Sequence, residues 1–170
     1  MQLVGPDGKQ RNYQEGTPLV DIAPDYQAAY DTPIALGVLN GREVPLQMIP
    51  QEGDRIFFLD MNSVESYNTY ISTFLFVLIA AMNRARPQVM LEVQNTFGNA
   101  LYCDIKNKIV LSDYDLADVA AEMKAMIQEK TPITLSFKKK QEAWSYVKPR
   151  FYCDQAPLLS ALPDDVEIPV

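Results

Sequence analysis

The sequence predicts an α+β protein built from two units, and three observations carry that reading. Residues 1–60 alternate short strand-like runs with turn dipeptides around one helical stretch, in the order ββαβββ. An apolar run at residues 71–82 leads to a proline and then to alternating apolar positions, the pattern of a helix followed by a strand hairpin. A chain of 170 residues, 48% hydrophobic and 22% charged, suits one ordinary domain or two small ones. We divide it at 1–61 and 62–170.

In the first unit, Pro6-Asp7-Gly8 is a turn between the strands MQLV and QRNYQ, because Asp-Gly tolerates the positive φ of a tight hairpin. Glu15-Gly16-Thr17-Pro18 opens a helix, with Thr17 as cap and Pro18 at the first helical position. Leu19, Ile22, Ala23 and Tyr26 recur at helical spacing as its buried face. Residues 34–38 are a strand, Asn40-Gly41 a hairpin turn, residues 42–46 the return, and residues 55–59 the last strand. Residues 61–68 are polar and hold the boundary. Without a Gly/Ser or Pro-rich linker, the two units are expected to pack rather than swing.

Residues 71–82 are apolar nearly all round, which predicts a helix enclosed on every side and too short to span a bilayer. Arg84, Arg86 and Pro87 stop it. Val89, Leu91 and Val93 then alternate into a strand, Gly98-Asn99 turns, and Leu101, Cys103 and Ile105 share one face of the return strand. Ser112 caps a further helix with Asp113 and Asp115 in its first turn, and Leu116, Val119, Ala120, Met123 and Ile127 are its predicted buried face. Residues 132–137 read as a strand and 138–147 as a short helix. Residues 148–170 are Pro-rich and weakly periodic, with no helix or strand expected at the end.

Two resemblances follow. Pro6-Asp7-Gly8-Lys9, residues 16–23 (GTPLVDIA), Val38-Leu39-Asn40-Gly41 and Gly53-Asp54-Arg55-Ile56 resemble, in order, the TGS domain, a β-grasp (ubiquitin-like) module that binds or regulates without catalysis. The apolar helix, the Pro87 break and residues 99–105 (NALYCDI) resemble the second additional, editing domain of threonyl-tRNA synthetases. So does ILSDYDLADVAAEMKAMIQEKTPI. In that family the helix opens with HSxxH, and its two histidines fall on Ser72 and Phe76. Its remaining metal ligands, CxxxH, fall near residues 151–159. One alignment puts Asp154 at the Cys and Leu158 at the His, and the other uses Cys153 and Pro157. The ligand set fails either way, and the chain contains no histidine. The resemblance thus implies the fold without the editing chemistry.

The same pair of modules stands at the front of bacterial proteins that end in a P-loop kinase resembling uridine kinase, where the helix reads as an RSLxFLL-type run, echoed by residues 72–78 (STFLFVL). That likeness implies a non-catalytic binding or regulatory module ahead of a kinase domain, with a degenerate pocket at Ser72, Phe76, Asp154 and Leu158. Two rivals are a metal-free hydrolase of mischarged tRNA using Asp154 to activate water, and a protein-interaction module using the β-grasp sheet.

The net charge of −7 argues against a free-standing nucleic-acid binder. Lys138, Lys139 and Lys140, with Lys148 and Arg150, are the one basic cluster and the candidate phosphate or RNA contacts. Nearby Phe137, Trp144, Tyr146, Phe151 and Tyr152 could stack on bases or fill a core. Gly5 to Lys9 has the wrong spacing for a phosphate-binding loop. No metal or cofactor is expected, since zinc wants three or four convergent N, S or O ligands. Cys103 and Cys153 are expected as reduced thiols, Cys103 facing inward. Asp113 and Asp115 read as helix-start residues, and Asp164 and Asp165 as solvated. MQLVGPDGKQ has no signal-peptide pattern, so a cytoplasmic location without membrane is expected. RNA or tRNA, or a nucleotide, is the expected partner.

Overall fold

In the computed structural model, residues 1–97, 100–147 and 159–170 are described, residues 95–97 and 146–147 by backbone alone. The fold is α+β, in two compact units, Met1–Phe74 and Leu75–Val170.

In the first unit, β1 (Gln2–Val4) and β2 (Gln10–Asn12) form an antiparallel hairpin. Its turn is held by Asp7, which accepts from the Lys9 N–H at 3.1 Å and the Arg11 guanidinium at 2.8 Å, and Gly8 has φ +73°. α1 (Leu19–Ile22) is only four residues long and passes into 3₁₀ turns at Ala23–Asp25 and Gln27–Ala29. Pro24, which has no N–H to give a longer helix, sits at the break. Pro18, not Thr17, occupies the cap position of α1, because the Thr17 hydroxyl donates backwards to the Gln14 carbonyl at 2.8 Å.

β3 (Ile34–Leu39) pairs antiparallel with β4 (Arg42–Val44) and with β5 (Ile56–Asp60). The β3–β4 turn is Asn40-Gly41, both at positive φ, as the dipeptide predicts. A parallel bridge between Val4 and Arg55, with the Val4 N–H donating to Asp54 O at 2.9 Å, joins the hairpin to β5. The strands therefore run β2-β1-β5-β3-β4 with a parallel central pair, the β-grasp arrangement. Leu3, Leu19, Ile22, Ala23, Tyr26, Ile56 and Phe58 form its core.

α2 (Val64–Ala85) has 22 residues, seven more at its start than the apolar run predicts. Ser63 begins it by accepting the Ser66 N–H at 3.1 Å, and the buried Ser66 hydroxyl donates to Leu59 O of β5 at 3.2 Å. At this length α2 is long and apolar enough to cross a membrane, which corrects the expectation drawn from its shorter apolar centre. Nor is it enclosed on every side. Tyr70, Phe74 and Phe76 are exposed, and full burial is confined to Ser66, Ala81 and Met82.

In the second unit, β6 (Leu91–Phe97) and β7 (Ala100–Ile105) are an antiparallel pair with Val93 opposite Cys103; the predicted Gly98-Asn99 turn lies outside the described residues. α3 (Asp113–Gln128) starts in a capping box, Ser112 accepting the Asp115 N–H and Asp115 accepting the Ser112 N–H. Val119 and Met126 of α3 join Ala81, Met82 and Val89 in the core. Leu116, Ala120 and Ile127 are exposed instead of buried as predicted. Two apolar stripes overlap on this helix, and ion pairs select between them: Arg86 reaches Asp115 and Asp118, each at 2.5 Å, and Arg84 reaches Glu122 at 3.0 Å.

The strand predicted at 132–137 is displaced to β8 (Phe137–Lys139), and α4 (Lys140–Val147) follows. The end of the chain is a strand after all: β9 (Glu167–Pro169) pairs antiparallel with β8, and Ile168 joins Ala143 and Leu159 in a separate small core. A three-residue strand that alternates charged, apolar and Pro carries too little pattern to be recognised without its partner.

Candidate functional site

Ser72 and Phe76 lie four residues apart on α2, hence on one face, and both are exposed. The hydroxyls beside them are spoken for within the helix, Thr69 donating to Glu65 O and Thr73 to Thr69 O, each at 2.8 Å. That face thus presents an aromatic ring and one alcohol. Asp154, Leu158, Cys153 and Pro157, the residues expected opposite, lie outside the described residues. Among the described residues no group of three or more His, Cys, Asp or Glu side chains could hold a metal ion. Zinc would need donors where Ser72 and Phe76 stand, and a phenyl ring supplies none, so these positions do not fit it.

The lysine cluster does not form one surface. Lys138 and Lys139 are neighbours on β8 and so point to opposite faces, across from Ile168 and Glu167. Lys140 is committed to the fold, its ammonium donating to Leu162 O at 2.6 Å and Ser160 O at 3.3 Å beside the Asp164 carboxylate at 3.0 Å. Asp164 is accordingly an ion-pair partner rather than only a solvated tail charge. Lys148, Arg150, Phe151 and Tyr152 lie outside the described residues, and so does the side chain of Tyr146. Phe137 is exposed, and Trp144 packs on the small core of α4.

Cys103 is half-buried on the inward face of β7, and burial pushes its thiol pKa up, which disfavours the reactive thiolate. On the outer face of the β-grasp sheet, Phe57 is exposed beside Val38, its cross-strand neighbour. Sequence reasoning missed an open cavity of about 620 Å³ in the first unit, lined by Met1, Glu15, Gly16, Ile49, Pro50, Gln51 and Glu52. No periodicity signals it, because its walls are loops brought together by the sheet.

The chain matches no protein-family model. It is 26% identical over 170 residues to a threonine-tRNA ligase of Bacillus velezensis, covering 100% of this chain and 26% of that protein. To a threonine-tRNA ligase of Syntrophomonas wolfei it is 25% identical over 162 residues, covering 95% of this chain and 26% of the relative. To threonine-tRNA ligase 1 of Bacillus subtilis it is 24% identical over 143 residues, or 84% and 22% of the two chains. The chain spans about a quarter of the length of the curated relatives it matches.

Proposed function

We propose that this chain is a non-catalytic binding or regulatory module, a TGS domain at 1–61 followed by a second-additional-domain-like region at 62–170, which recognises RNA or a nucleotide. Similarity to threonine-tRNA ligases along 84–100% of the chain supports the derivation. One observation carries the non-catalytic reading: a chain without a single histidine has Ser72 and Phe76 where the resemblance calls for metal ligands. The β-grasp fold of the first unit and the echo of the RSLxFLL-type run in residues 72–78 favour the arrangement found ahead of uridine-kinase-like domains. Phe76, exposed beside Ser72, is then a surface for a base to stack on, and the sequence resemblance adds Asp154 and Leu158 as further candidates. Lys139, exposed on β8, is the phosphate contact there in this reading, joined by Lys148 and Arg150, while Lys138 lies on the opposite face and Lys140 holds the fold.

Calorimetry of the chain against tRNA and against uridine and ATP, at low and physiological salt, tests this. Binding that weakens on Phe76→Ala by about 1–3 kcal/mol, with no hydrolysis of mischarged tRNA, is the expected result. Turnover of mischarged tRNA that disappears on Asp154→Ala overturns it in favour of a metal-free editing hydrolase. Silence toward every ligand overturns it in favour of protein docking at the Phe57 face of the sheet.

A further inference from the structure

We propose that α3 is a self-association surface, on which two copies of the chain pair antiparallel about a twofold axis. The face of α3 turned from its core carries Asp113, Ala117, Ala120, Lys124 and Ile127, all exposed, and Val110 stands at the helix entrance, 90% exposed. Spacings of three and four residues place the five helical residues along a single seam, and Val110 lies in the segment that leads into the helix, two residues before its cap, Ser112.

The order along the helix, Asp113-Ala117-Ala120-Lys124, identifies the occupant. Reversed, it places an acid opposite a base and alanine opposite alanine. In an antiparallel pair Asp113 meets the partner's Lys124 and Ala117 meets the partner's Ala120, with Ile127 at each end of the contact. Symmetry repeats each contact at the other end, as an isologous interface requires. A parallel pair would instead stack like charges. Paired alanines at the centre let the two axes approach closely, and Leu116, half exposed, closes one flank. Among the described residues neither Asp113 nor Lys124 takes part in an ion pair, although Asp115, Asp118 and Glu122 on the inner side all do.

With 16 residues, α3 is about 24 Å long. A single helix pair of that length falls below the standard interface size, so the dimer is a weak one, forming at high micromolar concentration.

Sedimentation equilibrium of the whole chain from about 10 μM to about 1 mM at low salt tests the pairing, with circular dichroism to establish that each variant is folded. The wild type moves from monomer to dimer mass. Asp113→Lys and Lys124→Asp each weaken association about tenfold or more, by setting like charges together twice per dimer. The double exchange restores it to within a few-fold, and Ile127→Glu abolishes it. A monomer at every concentration overturns the proposal, as does a dimer indifferent to either single exchange. Folded variants in which the double exchange fails to rescue overturn it too.

Discussion

The guanidinium of Arg86, just beyond the end of α2, lies 2.5 Å from Oδ1 of Asp115 in the first turn of α3. Hydrogen bonds from Ser112, with Arg86 beside them, hold the Asp115 carboxyl down at about 2, against an ordinary 3.8. Because the folded value lies below the unfolded one, the stabilisation is fully present above about pH 4 and is lost as pH falls toward 2. Urea midpoints of the wild type and Asp115→Asn should differ at pH 7 and converge near pH 2. A gap that persists at low pH removes this account.

Ser66 anchors α2 to β5 by donating to Leu59 O from a fully buried position. Ser66→Ala should cost about 1–3 kcal/mol by leaving that carbonyl without its donor. The larger Ser66→Val adds a further loss through overpacking. Chemical denaturation of both variants measures the two effects.

Gly37 faces α1 so closely that an added Cβ would stand 2.6 Å from Leu19 Cδ1, a side chain with no exposed surface and no room to retreat. Gly37→Ala is expected to lower stability by about 1–3 kcal/mol. Leu19→Ala removes the obstruction, so the two changes should be less costly together than their sum, and a double-mutant cycle reads that coupling.

Asn40 makes three separate ties to the residues that lead into β5: its N–H to Arg55 O at 2.9 Å, its side-chain oxygen from the Arg55 N–H at 2.9 Å, and its amide to Asp54 at 2.7 Å. It also sits at φ 51°, which asparagine tolerates better than most residues. Asn40→Ala should cost about 2 kcal/mol, whereas Asn40→Gly loses the same side-chain bonds but adopts the positive φ freely. Thermal melts of the pair separate side-chain bonding from conformation.

β9 closes the small core of α4, with Ser136 and Val170 exchanging N–H donations at 2.8 and 2.9 Å. Deleting residues 167–170 should leave Ala143 and Leu159 open and free the amides of α4 to exchange hydrogen, while the β-grasp amides stay protected. Hydrogen-exchange mass spectrometry resolves the two regions.

Local chemistry made the first unit legible. Asp7-Gly8 and Asn40-Gly41 admit few backbone conformations, and Leu19, Ile22, Ala23 and Tyr26 lie inward as their spacing predicts. Legibility falls where the outcome depends on partners distant in sequence. α3 offers two helical stripes of equal regularity, and the choice between them belongs to Arg84 at the end of α2 and Arg86 just beyond it. The start of α2 was hidden because its first turns are polar and its cap, Ser63, sits in a stretch read as a boundary. Ser72 and Phe76 were legible as neighbours on a helix, because a spacing of four needs only the helix itself. The cavity beside Glu15 and Glu52 was not, being made of loops.

The bridge between Val4 and Arg55 sets a timetable for synthesis. The strand made first must wait for one of the last strands of its own unit, emerging about fifty residues later, before the sheet has a middle. A ribosome therefore releases an unfinished hairpin with a bare edge, exposed to stray pairing until Asp54 arrives. Folding of the first unit is thus expected as one late, abrupt event, made slower by the distant contact it must close.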